Sequence, residues 1–223
     1  MSRVHDMGGR FGDGPVTPED DAVFAQDWHA RALALTLAAG ALGQWNIDVS
    51  RHARERLSPK DYTRFSYYEK WMGGLAELLV DAGVVTREEL QSGKADGTSA
   101  LADRKLLVDK VAAALAAGGP ADRPSEVAPQ FKPGDRVRLR PRSANDMVAG
   151  GHTRLPGYAA GAEGEVVIYH GTHVFPDSNA HRLGEAAEPL YAVAVKSADL
   201  WSAPENPADE VVLDLWQSYL EPA

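Results

Sequence analysis

The chain has 223 residues, 44% of them hydrophobic, enough for one large or two modest domains around a substantial core. A formal charge of -9 opposes a dedicated nucleic-acid or anionic-membrane binder, and the lack of cysteine excludes disulfides and thiolate chemistry in this chain. No run approaches the ~20 apolar residues that span a bilayer, and Met1 to Gly9 hold no apolar signal-peptide core, so the expected compartment is the cytoplasm.

Residues 1–20, with Gly8-Gly9, Gly12 and Gly14-Pro15, read as an irregular arm. A helix is predicted over 21–43, capped by Asp20 or Asp21, with Phe24, Trp28, Leu35 and Leu42 on an apolar face and Gly43 as its stop. A short helix follows over 46–57, with Asn46 or Asp48 as cap. Ser58, Pro59 and Asp61 combine an N-cap, a proline at the first helical position and an acid in the first turn. Ser66 precedes Glu69 by three, a capping box that opens a helix over 66–82. Tyr67, Trp71, Leu75 and Leu78 share one face of that helix, and the Tyr67 phenol in its first turn can reach past the core edge. Arg51, Arg54 and Arg64 gather near this phenol with no obvious acidic cluster to absorb them, which points to an anionic partner. Thr86 and Glu89 form another capping box, for a helix to about Gln91. A polar loop covers 92–99, and an Ala- and Leu-rich helix over 101–117 closes at Gly118-Gly119.

The composition changes at 118–133, where Pro120, Pro124, Pro129 and Pro133 imply a semi-extended linker. Beyond it the pattern has period two: Val137 and Leu139 alternate with arginines, and further short strands are predicted around Val166 to Ile168, Leu190 to Val195 and Val211 to Leu215. Turn residues separate them, which suggests a small, partly open β-barrel. Phe131-Lys132-Pro133-Gly134-Asp135-Arg136-Val137 resembles the first strand of SH3-like barrels. The expected fold class is α+β, with an N-terminal arm and helical domain over 1–125 and an SH3-like β-barrel over 126–223.

Few residues suggest self-sufficient chemistry. His170, His173 and His181 lie near one another with Asp177 between the last two, but no cysteine joins them, and a loop-fixing hydrogen-bond role fits better than a metal. There is no nucleophile elbow and no P-loop, and Glu55 and Asp61 are explained equally well as helix ion pairs and caps. Arg136, Arg138, Arg140 and Arg142 would share one strand face, either as a phosphate- or partner-binding stripe or as the solvated face of a barrel strand. The segment Gly150 to Tyr158 sits in a long inter-strand loop, and loops of that length in compact domains are usually functional.

Several segments resemble, in order, the β subunit of nitrile hydratase. They are Ser66 to Trp71, Gly151-His152-Thr153-Arg154, His173 to Asp177, His181 to Glu185, Leu190 to Val193, Asp199 to Trp201 and the closing run Asp214 to Pro222. The resemblance implies an αβ complex, often paired to α2β2, that hydrates nitriles to amides. It implies a low-spin Co(III) or Fe(III) held by the α subunit through cysteines, two of them oxidised, and no metal ligand from this chain. Arg51 and Arg154 match the β arginines that reach the oxidised sulfurs. A planar guanidinium suits buried oxyanions, and without it their burial costs several kcal/mol. Tyr67 matches the tyrosine that helps orient substrate. Ile47, Ser50 and Trp71 match pocket positions, and Glu55 an acid behind the first arginine. Ser50 stands where the family often has an aromatic residue, Gly157 and Ala160 where it often has arginines, and Lys70 where histidine is frequent. The overall pattern is closer to the cobalt class. The alternatives are a thiocyanate hydrolase subunit, a non-catalytic accessory or metallochaperone protein resembling the helical half, and a nucleic-acid-binding barrel that uses the arginine stripe.

Overall fold

The computed structural model describes His5 and residues 23–223, so the expected arm over 1–20 and the caps Asp20 and Asp21 lie outside the described residues. Helices and one antiparallel sheet make the chain α+β. It divides into two compact units that meet in sequence at Gly119 and Pro120.

The first unit is helical. Its elements are α1 (Asp27–Gly40), α2 (Ile47–Glu55), α3 (Pro59–Arg64), α4 (Tyr67–Asp81), α5 (Arg87–Ser92) and α6 (Val108–Ala117). Helix α1 starts later than its apolar pattern suggests, with Gln26 at the N-cap. It buries His29, Ala32 and Ala39, while Leu35 is 48% exposed. The ring of Tyr68 on α4 takes His29 at 4.7 Å and Trp28 at 6.4 Å, so aromatic contact selects the packed face rather than the leucines.

The capping chemistry falls where the side chains dictate. Asn46 Oδ1 accepts from the N–H groups of Asp48 and Val49 at 3.0 and 2.9 Å, which starts α2. Ser58 Oγ accepts from Asp61 N–H at 3.1 Å for α3. Ser66 and Thr86 both sit in complete capping boxes. Helices α2 and α4 pack closely because Gly74 has no side chain: a Cβ there would come 2.7 Å from Arg54 Cγ and 3.2 Å from Arg54 N. The helix expected over 101–117 is broken into a 3₁₀ turn at Ala102–Arg104 and α6, with no glycine or proline at the break. Helix α6 buries none of its residues.

The second unit holds β1 (Arg136–Leu139), β2 (Glu163–His173), α7 (Pro176–Asn179), β3 (Glu188–Lys196), α8 (Ser197–Leu200), β4 (Glu210–Trp216) and β5 (Leu220–Pro222). All pairings are antiparallel and the order is β4-β3-β2-β1-β5, so among the described residues the ladder is open at both ends. Gly164 admits β3 closely, since a Cβ there would lie 2.7 Å from the Ala194 carbonyl oxygen. Val137, Leu139, Val166, Tyr191, Val193 and Tyr219 are among the buried core residues.

The proline-bearing segment from Pro120 is tied to this sheet. Arg123 N–H donates to the Thr172 carbonyl at 3.0 Å, and Val174 N–H to that of Ala121 at 2.9 Å. Ser125 Oγ donates to the Ala187 carbonyl at 2.5 Å, and Phe131 packs edge-on to Tyr191 in the core. The arginine stripe is shorter than its spacing suggests, because β1 ends at Leu139. Arg138 and Arg136 pair with Glu163 at 2.6 and 3.6 Å on an exposed face. Arg140 instead bonds Asp146 at 2.6 Å and lies over the Tyr219 ring.

Candidate functional site

In the helical unit, α2 and the start of α4 carry six of the expected site residues: Ile47, Ser50, Arg51, Glu55, Tyr67 and Trp71. Asp48, 4% exposed, stands in the first turn of α2, where the helix N-terminus favours an anion. One turn on, Arg51 Nη1 donates to Asp48 Oδ1 at 2.8 Å, and the Arg51 side chain stays 39% exposed. Ile47, one turn before Arg51, is also exposed. Arg54 Nε donates to the Ser50 carbonyl at 3.1 Å, and its guanidinium lies 4.8 Å from the centre of the Trp71 ring. Burial holds Arg54 below the ordinary arginine pKa, though it stays cationic. Trp71 in turn contacts the Tyr67 ring at 5.5 Å, and Tyr67 is 64% exposed. Ser50, Arg54, Trp71 and Tyr67 therefore form one continuous stack.

Glu55 closes α2 one turn beyond Arg51. Its carboxylate faces His52 Nδ1 at 3.4 Å, and the group that holds Arg51 is Asp48. Sequence reading placed Asp48 only as a possible cap. Its i, i+3 spacing to Arg51 was the signal for the second role.

In the sheet unit, Arg154 lies in the loop between β1 and β2. Its side chain is exposed and makes no hydrogen bond or ion pair among the described residues, while the turn beneath it is heavily bonded. Asn145 Nδ2 donates to the carbonyls of His152 and Asp177 at 2.7 and 2.8 Å, and its Oδ1 accepts from Met147 and Val148 N–H. His152 N–H donates to His181 Nε2 at 3.0 Å, and a Cβ on Gly151 would come 2.6 Å from that same nitrogen. The phenol oxygen of Tyr219 accepts from Arg154 N–H at 3.1 Å and from Thr153 Oγ1 at 3.3 Å, and its O–H donates to the Asp177 carboxylate. Burial pushes the Asp177 carboxyl up to about 6, offset in part by the Tyr219 hydroxyl and by the charges of His152 and Arg140. Burial and the Asp177 charge raise the Tyr219 phenol as well.

The three histidines do not converge. His170 pairs with Asp214 at 3.1 Å, His181 serves the 152 turn, and the His173 carbonyl accepts from Trp216 Nε1. Among the described residues, no group of three or more His, Cys, Asp or Glu is arranged to hold a metal ion.

These features define an α+β protein of two units, one presenting Arg51, braced at its guanidinium by Asp48, and the other Arg154, held through its backbone amide by Tyr219. Both halves match families of known proteins: the nitrile hydratase beta subunit N-terminal model over residues 1–117 and the C-terminal model over 120–222. The chain belongs to the nitrile hydratase β-subunit family. It is 36% identical to the low-molecular weight cobalt-containing nitrile hydratase subunit beta of Rhodococcus rhodochrous, across 100% of both chains. It is also 36% identical to the nitrile hydratase subunit beta of Pseudomonas putida, again across 100% of both. Identity to the cobalt-containing nitrile hydratase subunit beta of Pseudonocardia thermophila is 32%, over 99% of this chain and 96% of that one. A structure of thiocyanate hydrolase from Thiobacillus thioparus aligns at 26% identity over 43% of this chain and 78% of that chain, with a TM-score of 0.38, too low to carry an argument. An accessory protein built on the helical half alone does not fit, because the C-terminal family model is matched as well.

Proposed function

We propose that this chain is the β partner of an αβ nitrile hydratase, active only in complex with its α subunit, and that the complex adds water to a nitrile to give the amide. The observation that carries this reading is the full-length family match on a chain whose Arg51 is braced by a buried carboxylate yet left partly open. The metal, cobalt by similarity to relatives named as cobalt-containing, is held by α, where it supplies Lewis-acid polarisation. Arg51 and Arg154 donate to the oxygens of oxidised cysteines in α. Sulfenate and sulfinate oxygens buried at a subunit interface need fixed donors that stay charged, and a planar fork supplies them. Tyr67 presents its hydroxyl to the substrate, Ile47, Ser50 and Trp71 line the pocket, and Glu55 acts at one remove through the α2 side chains.

The finer assignments follow the same reading: an α2β2 assembly, a cytoplasmic location, and a domain division at 125/126. An SH3-like barrel is supported by the two register shifts between β2 and β3, which bend the sheet, and by the 3₁₀ turn Gln217–Tyr219 that leads the chain from β4 back to β1. The test is co-expression with the α partner, metal analysis and a nitrile-to-amide assay. Metal in the complex with amide product is the expected result. Amide formation by this chain alone overturns the assignment.

A further inference from the structure

We propose that Tyr219 and Asp177 are positioning residues for Arg154, setting the turn from which its guanidinium is presented. The inference rests on the reading of Arg154 given above.

The geometry is specific. A phenol oxygen has one proton and two lone pairs, and Tyr219 uses all three: it donates to Asp177 and accepts from Arg154 N–H and Thr153 Oγ1. Tyr219 is 0% and Asp177 1% exposed, so water cannot replace either partner. The Arg154 amide has no other acceptor among the described residues, and it is held from a position 65 residues away in sequence. Asn145 bonds the carbonyls of both His152 and Asp177, which locks the turn to the segment that carries the acid. Burying a carboxylate is costly, and an apolar side chain would fill this place at lower cost. The presence of the acid is explained if the turn needs one orientation of the phenol. The ionised Asp177 accepts the hydrogen bond of the phenol O–H and so leaves both lone pairs of Tyr219 for Arg154 N–H and Thr153 Oγ1.

The test uses the complete αβ complex. Tyr219→Phe keeps the ring and removes the acceptor. It is expected to lower kcat about tenfold with little change in KM, and to speed hydrogen exchange at the Arg154 amide by about tenfold or more, including in metal-free complex. Asp177→Ala should behave alike, and Asp177→Asn, which keeps an oxygen for the phenol, should recover kcat to within about threefold. In an Arg154→Lys background, Tyr219→Phe should cost less than about twofold further, because both act through one guanidinium. Equal losses in Asp177→Ala and Asp177→Asn overturn the proposal, as does a Tyr219→Phe effect that multiplies in full on Arg154→Lys. Full activity of Arg154→Lys by itself would instead overturn the reading of Arg154, and this proposal with it.

Discussion

Arg51 bonds Asp48 through one nitrogen of its fork, which fixes the direction of the side chain and leaves the other donors for a ligand. Lysine at this position could keep the ion pair or reach outward, but could not do both in one plane. Arg51→Lys should therefore lower kcat/KM of the complex by roughly tenfold or more while leaving its assembly intact on size-exclusion chromatography. Tyr67→Phe keeps the ring that packs on Trp71 and loses only the exposed hydroxyl. Turnover should fall with melting temperature unchanged, and a drop in stability without loss of rate would make the residue structural. Asp177 gives a separate test in pH. Its carboxyl sits at about 6 against an ordinary 3.8, so the folded chain binds this proton more tightly than the unfolded chain does. The group's contribution to stability is full below the unfolded value and is lost as pH rises through 6, on the order of 3 kcal/mol in all. Asp177→Asn does not titrate, so denaturant titrations should show the variant gaining on the natural protein by that order between pH 4 and 7. Parallel curves would show that burial does not perturb the acid. At this scale the sequence was readable wherever a side chain bonds its own backbone, as at Asn46, Ser58, Ser66 and Thr86. The Tyr219–Asp177 contact spans 42 residues and leaves no local trace.

Among the elements, the crossing of α2 and α4 matters most for the helical part of the site, since it brings Arg54 onto Trp71. Gly74 makes the crossing possible, and the atoms in its way include the Arg54 backbone nitrogen and Cα, which cannot swing aside. Gly74→Ala should destabilise the chain by about 1–3 kcal/mol, measured by thermal or denaturant unfolding, and should weaken activity through the displaced Arg54. An unchanged melting temperature would mean that the helices part without cost. Strand β1 is legible from alternation because Val137 and Leu139 face the core while Arg136 and Arg138 face out, whereas β3, buried on both faces, shows as an apolar run. Strand β5 is not legible, since three residues are too few to show a period. The packed face of α1 is not the one its leucines point to. A leucine pattern favoured one face, and the packed face is the one bearing His29 and two alanines.

For the whole molecule, order along the chain was easier to read than order in space. Two units of different type follow from the switch of periodicity near residue 130, and the prolines there mark an extended path. What that path rests on is decided by Ser125, Gln130 and Phe131 bonding and packing against distant parts of the sheet, which composition cannot reveal. The strand order β4-β3-β2-β1-β5 likewise depends on the chain's last residues pairing beside its first strand. Helix α6 is the exception to this dense bonding. It has 10 residues and none is buried, so its alanines must hold it by intrinsic preference alone. On slow warming, far-ultraviolet dichroism should therefore begin to decline while aromatic near-ultraviolet bands from the Tyr68 and Tyr219 clusters still hold their native intensity, a sloping baseline before the main cooperative melt.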